Sequence, residues 1–172
     1  RAPRPAVAVF QTEVFRTWGG IQTFNRHLLE ALIELAETRG WAVRVFSLRD
    51  RGRVDLSSSV RLWGAGGRRM RFAAACLLNG FLADAVVIGH VNLAPLALVA
   101  RTIRPRLRYA VIAHGFEIWT LQGGLRRAGL RASSLVAAVS HDTRARLVAR
   151  GVEEQRVVLL PNTVDAARFT IG

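Results

Sequence analysis

The sequence predicts an α/β fold, a parallel sheet with helices on both faces. Short apolar runs of strand length alternate with segments of helical periodicity from one end of the chain to the other. The first run, Ala6–Phe10, is continuous, as in a strand covered on both faces. The glycine-bearing and polar segments fall after the strands, at residues 12–20, 89–92, 114–124, 140–142 and 161–162. In parallel strands such loops share one edge, where ligands bind, so a single cleft is the expected site.

The first unit organises the rest. Ala6, Val7, Ala8, Val9 and Phe10 form a strand-like apolar run. From Ile21 the period changes: Ile21, Phe24, Leu28, Leu32 and Leu35 recur at three- and four-residue steps, with Gln22, Asn25, Arg26, Glu30 and Glu34 on the other side. Gly40 is placed to stop this helix. Between strand and helix lie Gly19 and Gly20. Either they supply a positive φ to the turn, or they let backbone N–H groups approach an anion at the helix N-terminus. The loop has no G-x-G-x-x-G spacing and no P-loop lysine, the chain having no lysine at all.

Residues 42–47 follow as the second strand, 49–59 as a polar loop, 60–63 as a short third strand and 64–67 as a flexible turn. A helix over 68–82 is basic at its start. Residues 85–89 read as a buried strand, and 94–102 as a helix with Pro95 in its first turn. The strand 108–113 leads into His114-Gly115-Phe116-Glu117. An arginine-rich helix over 123–131 and a strand over 135–139 follow. Ser140 is an N-cap, with Asp142 favourable in the first turn of a helix reaching Arg150. Residues 157–160 form the last strand. His114 after a buried strand is either a structural histidine or a functional one, and Glu117 either contacts a ligand or caps a helix. His90, Asn92 and Ser140 are further polar candidates on the same edge.

The 172 residues suffice for one domain with a sizeable core. A hydrophobic content of 51% argues against disorder. All 25 basic side chains are arginine, against 12 acidic ones, for a net charge of +13. That excess suits anionic lipid, phosphorylated substrate or nucleic acid, or is a solvated surface. Arg68, Arg69 and Arg71, and Arg126, Arg127 and Arg131, flank Met70, Phe72, Leu125 and Leu130, a pattern that fits docking on an anionic membrane. A specific nucleic-acid module is disfavoured, because the aromatics do not interleave with the arginines. The single cysteine, Cys76, fits a reducing compartment and a buried, inert thiol. Residues 72–100 carry one charge, Asp84, but Asn79, Gly80, Gly89, His90 and Pro95 interrupt them, so no membrane span is expected. No secretory signal opens the sequence, and the expected location is cytoplasmic. The four histidines lack metal-ligand spacing, so no metal is expected.

Three segments together resemble the N-terminal domain of retaining GT-B glycosyltransferases of the group 1 (family 4) class. They are Gly19-Gly20-Ile21-Gln22 opening a helix, His114-Gly115-Phe116-Glu117-Ile118-Trp119, and Ala138-Val139-Ser140 followed by Gly151-Val152 and the run 158–165. The resemblance implies a Rossmann-like acceptor-side domain over residues 1–165. Residues 166–172 would begin the crossover to a C-terminal donor-binding domain that this sequence lacks, so the fragment alone should not turn over donor. It implies transfer of a sugar from a nucleotide-sugar to a glycan or lipid-linked acceptor, as in polysaccharide biosynthesis. The donor is a co-substrate, and no cofactor or metal is implied. Gly19 and Gly20 would face the donor diphosphate, His114 would lie near the transferred sugar as the catalytic group, and Asn162 would sit at the hinge. Glu117, His90, Asn92 and Ser140 are the candidate acceptor contacts. The alternatives are a non-catalytic acceptor-binding partner subunit and a basic nucleic-acid-binding module.

Overall fold

The computed structural model describes residues 4–163. One eight-stranded sheet runs through them. Its strands are β1 (Ala6–Gln11), β2 (Ala42–Ser47), β3 (Arg51–Asp55), β4 (Val60–Ala65), β5 (Ala85–Ile88), β6 (Arg108–Ala113), β7 (Leu135–Ala138) and β8 (Val157–Leu159). The order across the sheet is β3-β4-β2-β1-β5-β6-β7-β8. Every pairing is parallel except β3 with β4. The helices are α1 (Gly20–Arg39), α2 (Arg69–Leu82), α3 (Ala94–Ile103), α4 (Phe116–Trp119), α5 (Leu125–Ala132) and α6 (His141–Ala149).

Alternation along the strands divides the core into two faces. Phe10, Ile88, Val111 and Val136 point to one face, where Phe72 and Cys76 of α2, Ala97 of α3, Leu130 of α5 and Leu147 of α6 pack on them. Val9, Val43, Val45 and Leu62 point to the other, under Leu29, Leu32 and Ala36 of α1. The predicted α/β sheet with helices on both faces is therefore present, with α1, among the described residues, the one helix on its face. Gly40 ends α1 in the left-handed conformation (φ 68°), its N–H bonded to the carbonyl of Ala36. Cys76 is buried and free, and burial pushes its thiol pKa up.

Two expectations are corrected. Residues 49–59 are not all loop, because β3 forms a hairpin with β4. All five of its residues are exposed and three are charged, so no apolar alternation marks it; charge on an edge strand also discourages pairing with another chain. Residues 64–67 are not simply a turn, since Gly64 and Ala65 complete β4. A Cβ on Gly64 would lie 2.3 Å from the Asp50 carbonyl carbon and oxygen, so glycine is what lets the two backbones meet. The expected domain boundary at residue 165 and the crossover at 166–172 lie outside the described residues.

Candidate functional site

Parallel pairing brings the C-terminal ends of β1, β5, β6 and β7 to one edge of the sheet. There Phe24 of α1 meets the His114 ring edge-on, with centroids 5.1 Å apart and planes at 87°. The helix behind the glycine doublet and the imidazole after β6 are thus direct neighbours. The His90 ring is 6.0 Å from that of His114.

The doublet does not serve turn geometry. Gly19 is extended (φ 173°), and neither glycine lies in the left-handed region that favours glycine. A Cβ on Gly20 would meet nothing within 4 Å, and one on Gly19 only the movable end of Gln22. The N-terminus of α1 has no side-chain cap and no acidic residue in its first turn. Its first N–H groups therefore lack an intrahelical partner and favour an anion.

The loop that carries the doublet is held from outside. The Asp50 carboxylate accepts hydrogen bonds from the backbone N–H of Val14 (2.7 Å) and Phe15 (3.0 Å) and from the Ser47 hydroxyl (2.5 Å). Arg26 donates to the carbonyls of Val14 (3.1 Å) and Thr17 (2.9 Å), and its guanidinium lies 4.0 Å from the Trp18 ring centre. Asn25 donates to the Glu13 carbonyl at 2.8 Å. Sequence reasoning missed Asp50, Arg26 and Asn25. They read as an ordinary loop residue and the polar flank of a helix, and their partners lie nine to twelve positions away for the helix pair and thirty-five or more for Asp50 with the loop N–H groups. Gln11 was missed as well. It is fully buried at the end of β1, its amide has no hydrogen-bond partner among the described residues, and it sits where a Cβ on Gly89 would need to be. The available signal was a polar residue closing an apolar strand.

His114 is half-buried. Its Nε2–H donates to the Gly89 carbonyl at 2.9 Å. A carbonyl only accepts, so the neutral ring carries its proton on Nε2 and leaves Nδ1 as an acceptor. Burial lowers its pKa, with the Gly89 bond and the Glu117 charge opposing. His90 is also lowered, chiefly by burial. Both rings are neutral at pH 7. Gly115, at φ 118°, turns the chain after His114 in a conformation that favours glycine. Glu117 is buried, and its carboxylate accepts the backbone N–H of His114 at 2.6 Å, a bond to the residue before the Gly115 N-cap rather than a cap of α4.

The remaining candidates also make local bonds. His90 Nδ1 accepts from the N–H of Asn92 at 3.1 Å. The Asn92 side-chain oxygen accepts from Arg126 at 3.0 Å. Ser140 caps α6 through the N–H of Thr143 at 3.1 Å, as its sequence position predicts. Asn162 is exposed beyond β8. Among the described residues no group of three His, Cys, Asp or Glu is placed to hold a metal, and no helix is long and apolar enough to cross a membrane.

A mostly parallel sheet, with an uncapped helix start beside a neutral histidine at its strand ends, defines a Rossmann-like half of the GT-B type. Residues 18–168 match the model of Glycosyltransferase Family 4, and the chain belongs to that family. No curated protein matches it by sequence. Among solved structures it is similar to the apo form of the lipopolysaccharide outer core galactosyltransferase WaaB (TM-score 0.61, 14% identity, 92% of this chain and 46% of that one). It is also similar to the catalytic domain of starch synthase IV from Arabidopsis thaliana bound to ADP and acarbose (0.59, 14%, 96% and 53%). A third likeness is to the UDP-GlcNAc 2-epimerase from Methanocaldococcus jannaschii (0.56, 13%, 92% and 45%). The chain spans about half the length of these structures.

Proposed function

We propose that this chain is the acceptor-side half of a retaining glycosyltransferase, moving a sugar from a nucleotide-sugar to a glycan or lipid-linked acceptor. The observation that carries the reading is the glycine doublet. Neither glycine is needed for the backbone, and Gly20 faces open space at an uncapped helix start. Bare main chain there suits the diphosphate of a donor held by a partner half, and N–H groups aimed at it stabilise the charge that develops as it leaves. That the chain spans about half the length of the similar structures supports such a half, and Asn162 would sit at the hinge.

Retention follows if the acceptor hydroxyl attacks from the face the diphosphate leaves, its proton passing to the departing phosphate oxygen. No protein nucleophile is required, and the Glu117 carboxylate is engaged with the His114 N–H. His114, with Nδ1 free to accept, binds a hydroxyl of the transferred sugar or acceptor. His90, Asn92 and Ser140 shape the acceptor side through the loops they cap. The reaction uses no metal or cofactor beyond the donor itself, and the enzyme works in polysaccharide biosynthesis at the cytoplasmic face of an anionic membrane.

The test is a screen of the complete protein against UDP- and GDP-sugars, comparing wild type with Gly20→Ala. Transfer should fall at least about tenfold while thermal stability holds, because the added methyl meets only ligand. Unchanged transfer would remove the diphosphate role. Product analysis separates transfer from epimerisation, the chemistry named for the M. jannaschii neighbour. Acceptor binding without transfer would identify a partner subunit.

A further inference from the structure

A cavity of about 470 Å³ lies away from the strand-end edge, on the α2 side of the sheet, where β2, β4 and β3 run out beyond the helix. Cross-strand register sets its floor in two rows. One row is Arg44, Arg61 and Asp55; the other is Phe46, Trp63 and Arg53. Trp63 leans on Phe46, with ring centroids 6.0 Å apart. Arg71 of α2 hangs over the Trp63 ring at 5.3 Å. Four arginines therefore surround one indole, and the single carboxylate, Asp55, is paired with Arg61 at 3.2 Å. Among the described residues Arg53 and Arg71 have no carboxylate partner.

We propose that this groove binds a sugar ring bearing phosphate or carboxylate groups. The indole offers a flat apolar face to the C–H side of the ring, and the guanidinium forks of Arg53 and Arg71 match the planar geometry of its anions. One half-buried indole lining the cavity suits one ring. A single-stranded nucleic acid needs successive stacking platforms, and Phe46 is buried. The site holds an anionic saccharide outside the edge where transfer is proposed, and it does not depend on that reading. Its source is either a soluble glycan or the headgroup of a glycolipid.

Titration calorimetry of the full chain tests this with hexagalacturonate, neutral maltohexaose and oligouridylate, and sedimentation tests it with phosphatidylinositol-phosphate vesicles. Binding of hexagalacturonate is expected if the source is a glycan, and binding of the vesicles alone if it is a headgroup. In either case the double variant Arg53→Glu/Arg71→Glu should weaken binding at least about tenfold. Both positions are exposed, and a thermal melt verifies that the variant folds. A second variant, Trp63→Leu, should weaken the same ligand. The proposal is overturned if neither anionic probe binds, if maltohexaose binds as tightly, if only oligouridylate binds, or if the double variant binds unchanged.

Discussion

His114 links burial to protonation. Burial lowers its pKa and that of His90 below the ordinary 6.5. A histidine whose folded pKa lies below its unfolded value binds fewer protons when folded. Above about pH 6.5 both states are neutral and neither ring affects stability. As the pH falls from there through the depressed folded values, the unfolded state takes up protons first and stability is lost. Thermal melts should show a plateau above neutrality and a decline from about pH 6.5 toward pH 5. A His90→Asn/His114→Gln variant should decline less over that window, and equal declines would show that these rings do not carry it. Asp50 supports a second prediction at this scale. It is buried, and it alone satisfies the N–H groups of Val14 and Phe15. Asp50→Ala should reduce unfolding free energy in urea by about 3 kcal/mol, the order expected for one buried and one part-buried bond to a charged acceptor. Asp50→Asn, which keeps one acceptor oxygen, should lose less.

The elements differ in how plainly the sequence announced them. The central strands β1 and β5 are apolar runs, β2 and β4 are apolar but for one exposed arginine each, and α1 follows its periodicity from Ile21 to the Gly40 stop. Those signals come from burial, which sequence records directly. β3 left no such signal, because an exposed edge strand is specified by its partner and by Gly64 rather than by its own pattern. The same holds at the site. The doublet, His114 and the Ser140 cap were legible, since each is a local motif. The clamp of Asp50 and Arg26 was not, because it joins residues that only the fold brings together. Two glycines make the contrast testable. Gly64→Ala drives a methyl into the backbone of Asp50 and Arg51 and should cost at least about 2 kcal/mol, with loss of the β3–β4 hairpin visible as amide exchange. Gly20→Ala enters open space in a helix and should leave stability unchanged or raise it by about 0.5 kcal/mol. Equal destabilisation by the two would contradict the assignment of one glycine to packing and the other to access.

Over the whole molecule, charge is distributed by face. α1 mixes Glu30, Glu34 and Glu37 with Arg26 and Arg39. On the opposite face α2, α3 and α5 contain no acidic residue, while each carries arginine. The same three helices leave Met70, Leu78, Ile103 and Leu125 more than three-fifths exposed. α2, α3 and α5, basic, apolar and without carboxylates, complement an anionic bilayer, while α6 on the same face carries Asp142 paired with Arg146. Apolar side chains enter the interface while arginines pair with headgroups, each worth about 1 kcal/mol near the surface. Docking through these three helices would bring the sheet beside the membrane, which is the contact that the proposed lipid-linked acceptor calls for. The chain should sediment with phosphatidylglycerol vesicles, and binding should weaken steeply as salt rises. Arg69→Glu/Arg127→Glu should reduce that binding by an order of magnitude or more, since each reversal removes an attraction and adds a repulsion. Met70→Ser/Leu78→Ser should reduce it without changing its salt dependence. Equal binding to neutral and anionic vesicles would mean that the arginines do not steer the contact, and the membrane would then be recognised, if at all, through the apolar side chains alone.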